Sequence, residues 1–167
     1  MSQQHNIVIE YLSQWRPRSV LNIGLRPSSN LDVYHWCETN RVLHCTVEIH
    51  KPNQQFILDE RLGFLIAGDI VEVAKKLPRF DAVVWLHGPE HLTLDHLSDT
   101  LAYLEASAIK GLLFQMPEQP EYTPFLHGNP WERHLSNPDR AFWSHGGYTY
   151  DASAAGVENT ATYWKCK

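Results

Sequence analysis

Residues 80–92 read Phe80-Asp-Ala-Val-Val-Trp-Leu-His-Gly-Pro-Glu-His-Leu92: an apolar run that stops at a histidine, a turn and a polar pair. A short continuous run of this kind suits a strand buried on both faces, as in a parallel sheet. The chain holds four more. Residues 19–24 (SVLNIG) end in glycine, 42–47 are closed by Glu48, 64–67 by Gly68-Asp69, and 110–115 by Met116-Pro117. Amphipathic stretches lie between them. Over 92–104, Leu94, Leu97, Leu101 and Leu104 follow the spacing of one buried helical stripe. Shorter helices are expected over 52–60, with Pro52 in the first turn where a missing N–H costs little, and over 71–77, stopped before Pro78. Strands alternating with helices predict βαβ units and a mainly parallel sheet.

The tail differs. Residues 118–137, just after Pro117, carry Pro120, Pro124 and Pro130 without an apolar period, and read as a long loop of the kind that is usually functional or mobile. A short helix over 138–144 and an antiparallel pair, 148–150 with 160–164, are expected beyond it.

Composition narrows the function. The 167 residues suit one domain, 1–167, and 43% hydrophobic with 20% charged residues is globular composition. With 14 Lys+Arg against 19 Asp+Glu, the net charge is −5. That balance argues against phosphate neutralisation and hence against nucleic-acid partners. No apolar run approaches the ~20 residues that span a bilayer, so no membrane partner is expected. The opening MSQQHNIVIEYLSQW lacks a basic segment followed by an apolar one, so no secretory signal is expected. Cys37, Cys45 and Cys166 are odd in number and far apart, which suits reduced thiols in a cytoplasmic protein. Nothing in the sequence fixes an oligomeric state.

Taken together, the runs, their polar ends and the terminal antiparallel pair resemble the class I S-adenosylmethionine-dependent methyltransferases, over about residues 19–164. The resemblance implies a Rossmann-like three-layer α/β sandwich, strand order 3-2-1-4-5 plus antiparallel C-terminal strands, and S-adenosylmethionine as cofactor. Asn22 and Gly24 then belong to the first strand and its glycine-rich loop. Glu48 stands where the family's acidic residue binds the ribose hydroxyls, and Asp69-Ile70 where the adenine is met. His87 follows the fourth strand beside the cofactor. In an open α/β sheet ligands sit beyond the strand carboxyl ends, which is why polar residues there carry the chemistry.

One departure matters. The family loop usually repeats glycine; here it reads Gly24-Leu25-Arg26-Pro27-Ser28-Ser29. Pro27 lacks a donor, whereas Arg26 could pair with the cofactor carboxylate and Ser28 could cap the next helix. Two readings therefore stand: methyl transfer from S-adenosylmethionine, or a non-catalytic structural or interaction protein on the same fold.

His87-Gly-Pro-Glu-His91 also matches H-x-x-E-H, a zinc-hydrolase pattern that needs a helix. Gly88-Pro89 disfavours one, so no metal is expected. His87, Glu90 and His91 are instead candidate catalytic groups, since an imidazole at a strand tip can act as a general base. Glu90 could equally do no more than favour a helix start. Trp131, Arg133 and His134 are candidate acceptor-binding residues because aromatic and guanidinium groups recognise polar, planar substrates; Trp131 could alternatively be a core plug. His5, His35, His44, His50, His96 and His145 have no partner spacing and read as surface or core imidazoles. No Asn-Pro-Pro-Tyr-type motif follows the fourth run, which disfavours DNA bases. A small molecule or a glycan is the expected acceptor.

Overall fold

The computed structural model describes residues 3–25, 27–118, 131, 133–151 and 160–167. Its strands are β1 (Ser19–Ile23), β2 (Leu43–Glu48), β3 (Phe64–Ala67), β4 (Phe80–Leu86), β5 (Ala108–Pro117), β6 (Thr149–Asp151) and β7 (Thr160–Cys166). They form one sheet in the order β3-β2-β1-β4-β5-β7-β6. The first five run parallel, and β7 lies antiparallel between β5 and β6. This is the expected architecture, with residues 160–164 beside the fifth strand as the sequence predicts.

Alternation along β4 explains the three layers. Ala82, Val84 and Leu86 pack with Ile7, Val8 and Leu12 of α1 (Gln3–Trp15) and Val33 and Cys37 of α2 (Pro27–Thr39). Val83 and Trp85 point the other way, into a cluster with Leu97, Leu101 and Leu104 of α5 (Leu94–Ser107). All seven β4 residues are buried. Each such large apolar side chain contributes roughly 1.5–3 kcal/mol by leaving water. Helix α3 (Lys51–Asp59) adds a third, smaller cluster through Ile57, which meets Leu25 and Leu62. Helix α6 (Arg140–His145) brings Trp143, wholly buried, against Phe114 and Tyr163 at ring-centroid distances of 5.3 and 4.9 Å.

Several local expectations change. Helix α1 was not foreseen, although Ile7, Val8 and Leu12 form its buried stripe. Leu94 is not part of the α5 stripe: it is the first helical residue, after the Thr93 cap, and is 44% exposed. The 71–77 segment divides into α4 (Ile70–Val73) and a 3-10 turn, Ala74–Lys76. Helix α2 begins at Pro27, so Ser28 lies inside its first turn and not at the cap, while Pro27 takes the position that tolerates a missing donor. Most of the proline-rich loop lies outside the described residues. No helix among the described residues is long and apolar enough to cross a membrane. The three cysteines are free, and burial pushes the Cys37 and Cys45 thiols up to about 12 and about 11.

Parallel pairing sets the strand ends level. Ile23 is in register with Val47 on one side and Trp85 on the other, and Trp85 with Phe114. The residues just after these positions therefore share one edge. At the opposite edge Asp81, 3% exposed, accepts the Arg18 backbone N–H at 2.8 Å and lies 3.4 Å from Lys110 Nζ. That N–H first, and Lys110 next, hold its carboxyl below the usual carboxylate range. A lowered folded-state pKa stabilises the fold above the unfolded value near 3.9, and the benefit is lost as pH falls through the folded value. Asp81→Asn is expected to cost about 1.5–3 kcal/mol at pH 7. Urea unfolding should show the gap from the parent chain narrowing below about pH 4; a gap constant down to pH 2 would remove the charge from the account.

Candidate functional site

The loop after β1 turns at Gly24, whose φ of +73° is a left-handed conformation that glycine adopts without cost. A Cβ built there would meet nothing within 4 Å, so the glycine backbone faces open space. The Gly24 N–H donates to the Val47 carbonyl (2.8 Å). Asn22, expected to bind cofactor, is fully buried and donates its amide to the Gly24 carbonyl (2.9 Å); it does not line the cavity, because its side chain is spent on shaping the turn. Arg26 lies outside the described residues.

Glu48 is the junction of this half. It is 4% exposed and its Oε2 accepts the Leu25 N–H at 2.7 Å and Asn53 Nδ2 at 3.1 Å, while Oε1 accepts the His50 N–H at 2.7 Å. A carboxylate accepts about four hydrogen bonds. Three are taken, which leaves about one acceptor position. Asn53, at the start of α3, also donates to the Leu25 carbonyl (2.8 Å), so the loops after β1 and β2 are tied together. After β3, Asp69 caps α4, its Oδ1 accepting the Val71 N–H (3.0 Å), with Ile70 beside it. Glu72 stands at the rim, its carboxyl held below the usual range by its hydrogen bond from Lys75.

The turn after β4 is tightly constrained. His87 adopts φ +52°, a left-handed conformation uncommon for a non-glycine residue, and donates its N–H to the Gln115 carbonyl (2.7 Å). At Gly88 an added Cβ would fall inside the Trp85 indole. Pro89–His91 then form a single 3-10 turn, not an α-helix, so the H-x-x-E-H hydrolase geometry does not arise. Glu90 is 1% exposed. Its carbonyl accepts N–H groups from Leu135 (2.8 Å) and Ser136 (3.2 Å), and His91 Nδ1 lies 3.3 Å from the Arg133 carbonyl. These bonds fasten the segment 133–136 to the turn.

The two halves enclose one cavity of ≈ 880 Å³, within the range of small-molecule sites. Gly24, Glu48, Asp69 and Ile70 line one side; His87, Glu90, His91, Trp131, Arg133 and His134 line the other. Trp131 is 51% exposed and so is no core plug. Asn53, Thr93 and His96 also line the cavity. Sequence reasoning misses them because they sit in or beside helices, off the strand ends, and the sequence around His96 marks it only as a surface or core imidazole.

No protein-family model and no curated protein matches the sequence. The structure matches 450 solved chains. The methyltransferase domain of the bacterial protein CtHen1 aligns with TM-score 0.69 at 15% identity, over 99% of this chain and 98% of that one. Magnesium protoporphyrin IX methyltransferase from Synechocystis PCC 6803, solved with bound S-adenosylhomocysteine, aligns at 0.64 and 12%, over 99% and 82%. A Nostoc punctiforme protein aligns at 0.66 and 13%; the whole chain spans 56% of its length. Likeness at these identities shows the fold: that of the class I S-adenosylmethionine-dependent methyltransferases.

The Gly88–Trp85 contact makes the turn testable. Gly88→Ala must displace the indole or the turn, a change worth about 1–3 kcal/mol. A drop in melting temperature of roughly 2–10 °C is expected, and an unchanged melting curve would mean the turn is free of Trp85.

Proposed function

We propose that this chain binds S-adenosylmethionine along the edge of β1, β2 and β3 and transfers its methyl group to a small-molecule or glycan acceptor held against the turn after β4. The observation that carries this reading is the convergence of Gly24, Glu48 and Asp69 on one side of the cavity that His87, His91 and Trp131 close from the other. The residues fit the cofactor. Open space at Gly24 admits a ligand against the backbone, and the start of α2 offers N–H groups to a carboxylate. Glu48 keeps one acceptor position for a ribose hydroxyl, and Asp69-Ile70 stand at the adenine end.

The acceptor side differs in character. Trp131, Arg133 and His134 combine an aromatic face, a guanidinium and an imidazole, groups that bind polar, planar or hydroxylated molecules. Methyl transfer needs chiefly alignment of nucleophile and methyl group, and two walls fastened to adjacent strand ends supply it. The net charge of −5 supports a small acceptor over a nucleic acid.

Calorimetry with S-adenosylhomocysteine tests the reading. The parent chain is expected to bind, and at ~100 times Kd the ligand should add ~2.7 kcal/mol of stability. In Glu48→Gln the amide nitrogen must face one of the backbone N–H donors in either orientation, Leu25 in one and His50 in the other. Affinity should fall more than about tenfold, the equivalent of one charge-assisted hydrogen bond. If the parent chain does not bind, the cofactor reading is wrong and the fold serves as a non-catalytic module.

A further inference from the structure

Ten histidines are many for a chain of this length, and two of them meet at one point. Glu90, His91 and His134 each offer a ligand atom, and these atoms lie within 4.8 Å of one another. Glu90 Oε1 is 3.9 Å from His91 Nε2, and the two imidazole centroids are 5.1 Å apart. The His91 tautomer follows from its surroundings. The Arg133 carbonyl 3.3 Å from Nδ1 can only accept, so Nδ1 is the donor nitrogen and Nε2 is the one turned toward the carboxylate. An imidazole whose far nitrogen donates to a backbone carbonyl is the usual arrangement of a metal-bound histidine. All three residues line the cavity.

We propose that Glu90, His91 and His134 hold a divalent cation whose remaining coordination positions face the cavity and take an oxygen of the acceptor. Two imidazoles and one carboxylate suit Mn²⁺, Fe²⁺, Co²⁺ or Zn²⁺, and a three-ligand set leaves positions open. On one ion, ligand atoms stand roughly 3–3.5 Å apart. The present spacings therefore need only side-chain rotations, which His134 can supply from the loop. A cation also offsets the cost of a carboxylate buried at 1% exposure. The H-x-x-E-H pattern thus misleads in its first member alone: His87 stays out, and His134, far along the chain, takes the third place. The acceptor half of the proposal rests on the methyltransferase reading and narrows it to oxygen donors. His91 then serves as a ligand, not as a general base.

The full chain, stripped with chelator and dialysed, is titrated with CoCl2 and ZnCl2. One equivalent should bind, with Co²⁺ giving visible d–d bands, and His134→Ala should weaken it more than tenfold while the melting curve stays near that of the parent. Glu90→Gln, at a buried position, is scored only if its far-ultraviolet spectrum matches the parent, and should then lose the bands as well. Absence of a stoichiometric site, or Co²⁺ bands that survive in His134→Ala, overturns the cation site. Calorimetry with S-adenosylhomocysteine on the same metal-free sample separates the two ideas: cofactor binding without a metal equivalent leaves the methyltransferase reading and removes this one, and a metal equivalent without cofactor binding does the reverse. If both bind, a diol should perturb the Co²⁺ bands in the parent; bands indifferent to any oxygen ligand remove the acceptor half.

Discussion

Strands β1 and β4 lie side by side at the centre of the sheet, covered by helices on both faces. Their side chains leave water on either side, and a polar one among them must find a partner inside the protein, as Asn22 does at the Gly24 carbonyl. Ligand-facing chemistry is thereby pushed to the place where the strands stop. Parallel pairing levels those stopping points, since Ile23, Val47, Trp85 and Phe114 stand in one register row. A single constraint, burial on two faces, thus decides both which residues are apolar and where the polar ones gather.

Glu48 shows how the edge is held. Its carboxylate takes backbone N–H groups from the loops after β1 and β2 and an amide from α3. The loop after β1 has a single glycine, and the family's further glycines have no counterpart. What it lacks in bare backbone it gains in a buried anchor, with Pro27 seated where a helix start tolerates it.

The central strands were legible because two-face burial leaves a composition signal that needs no partner: AVVWL is apolar throughout and VLNI at every position but Asn22, whereas FLIA, at the sheet edge, is apolar though Phe64 is exposed. The residues at their ends were legible for the same reason, since each follows directly from where a run stops. Side chains on helices were not. Whether Asn53 or His96 faces the cavity depends on how α3 and α5 rotate against the sheet, and no local pattern encodes that. Asn22 lies in the expected strand, with its side chain buried on the Gly24 carbonyl and outside the cavity lining. The Glu90–His91–His134 cluster escaped because its third member is brought in by a loop without periodicity, and Gly88-Pro89 correctly spoke against the helix but not against the cluster.

The two hydrogen bonds from Leu135 and Ser136 to the Glu90 carbonyl bear on how such a site can diversify. A wall sewn to a strand tip inherits its position from the sheet, so its backbone is not a variable that selection can adjust piecemeal. What remains adjustable is the identity of the side chains it displays. On the proposed function, a descendant with a new acceptor would then be recognised by exchanges at positions 131 and 133 on an unchanged backbone trace, with His134 kept as a ligand, and its specificity could drift without endangering its fold.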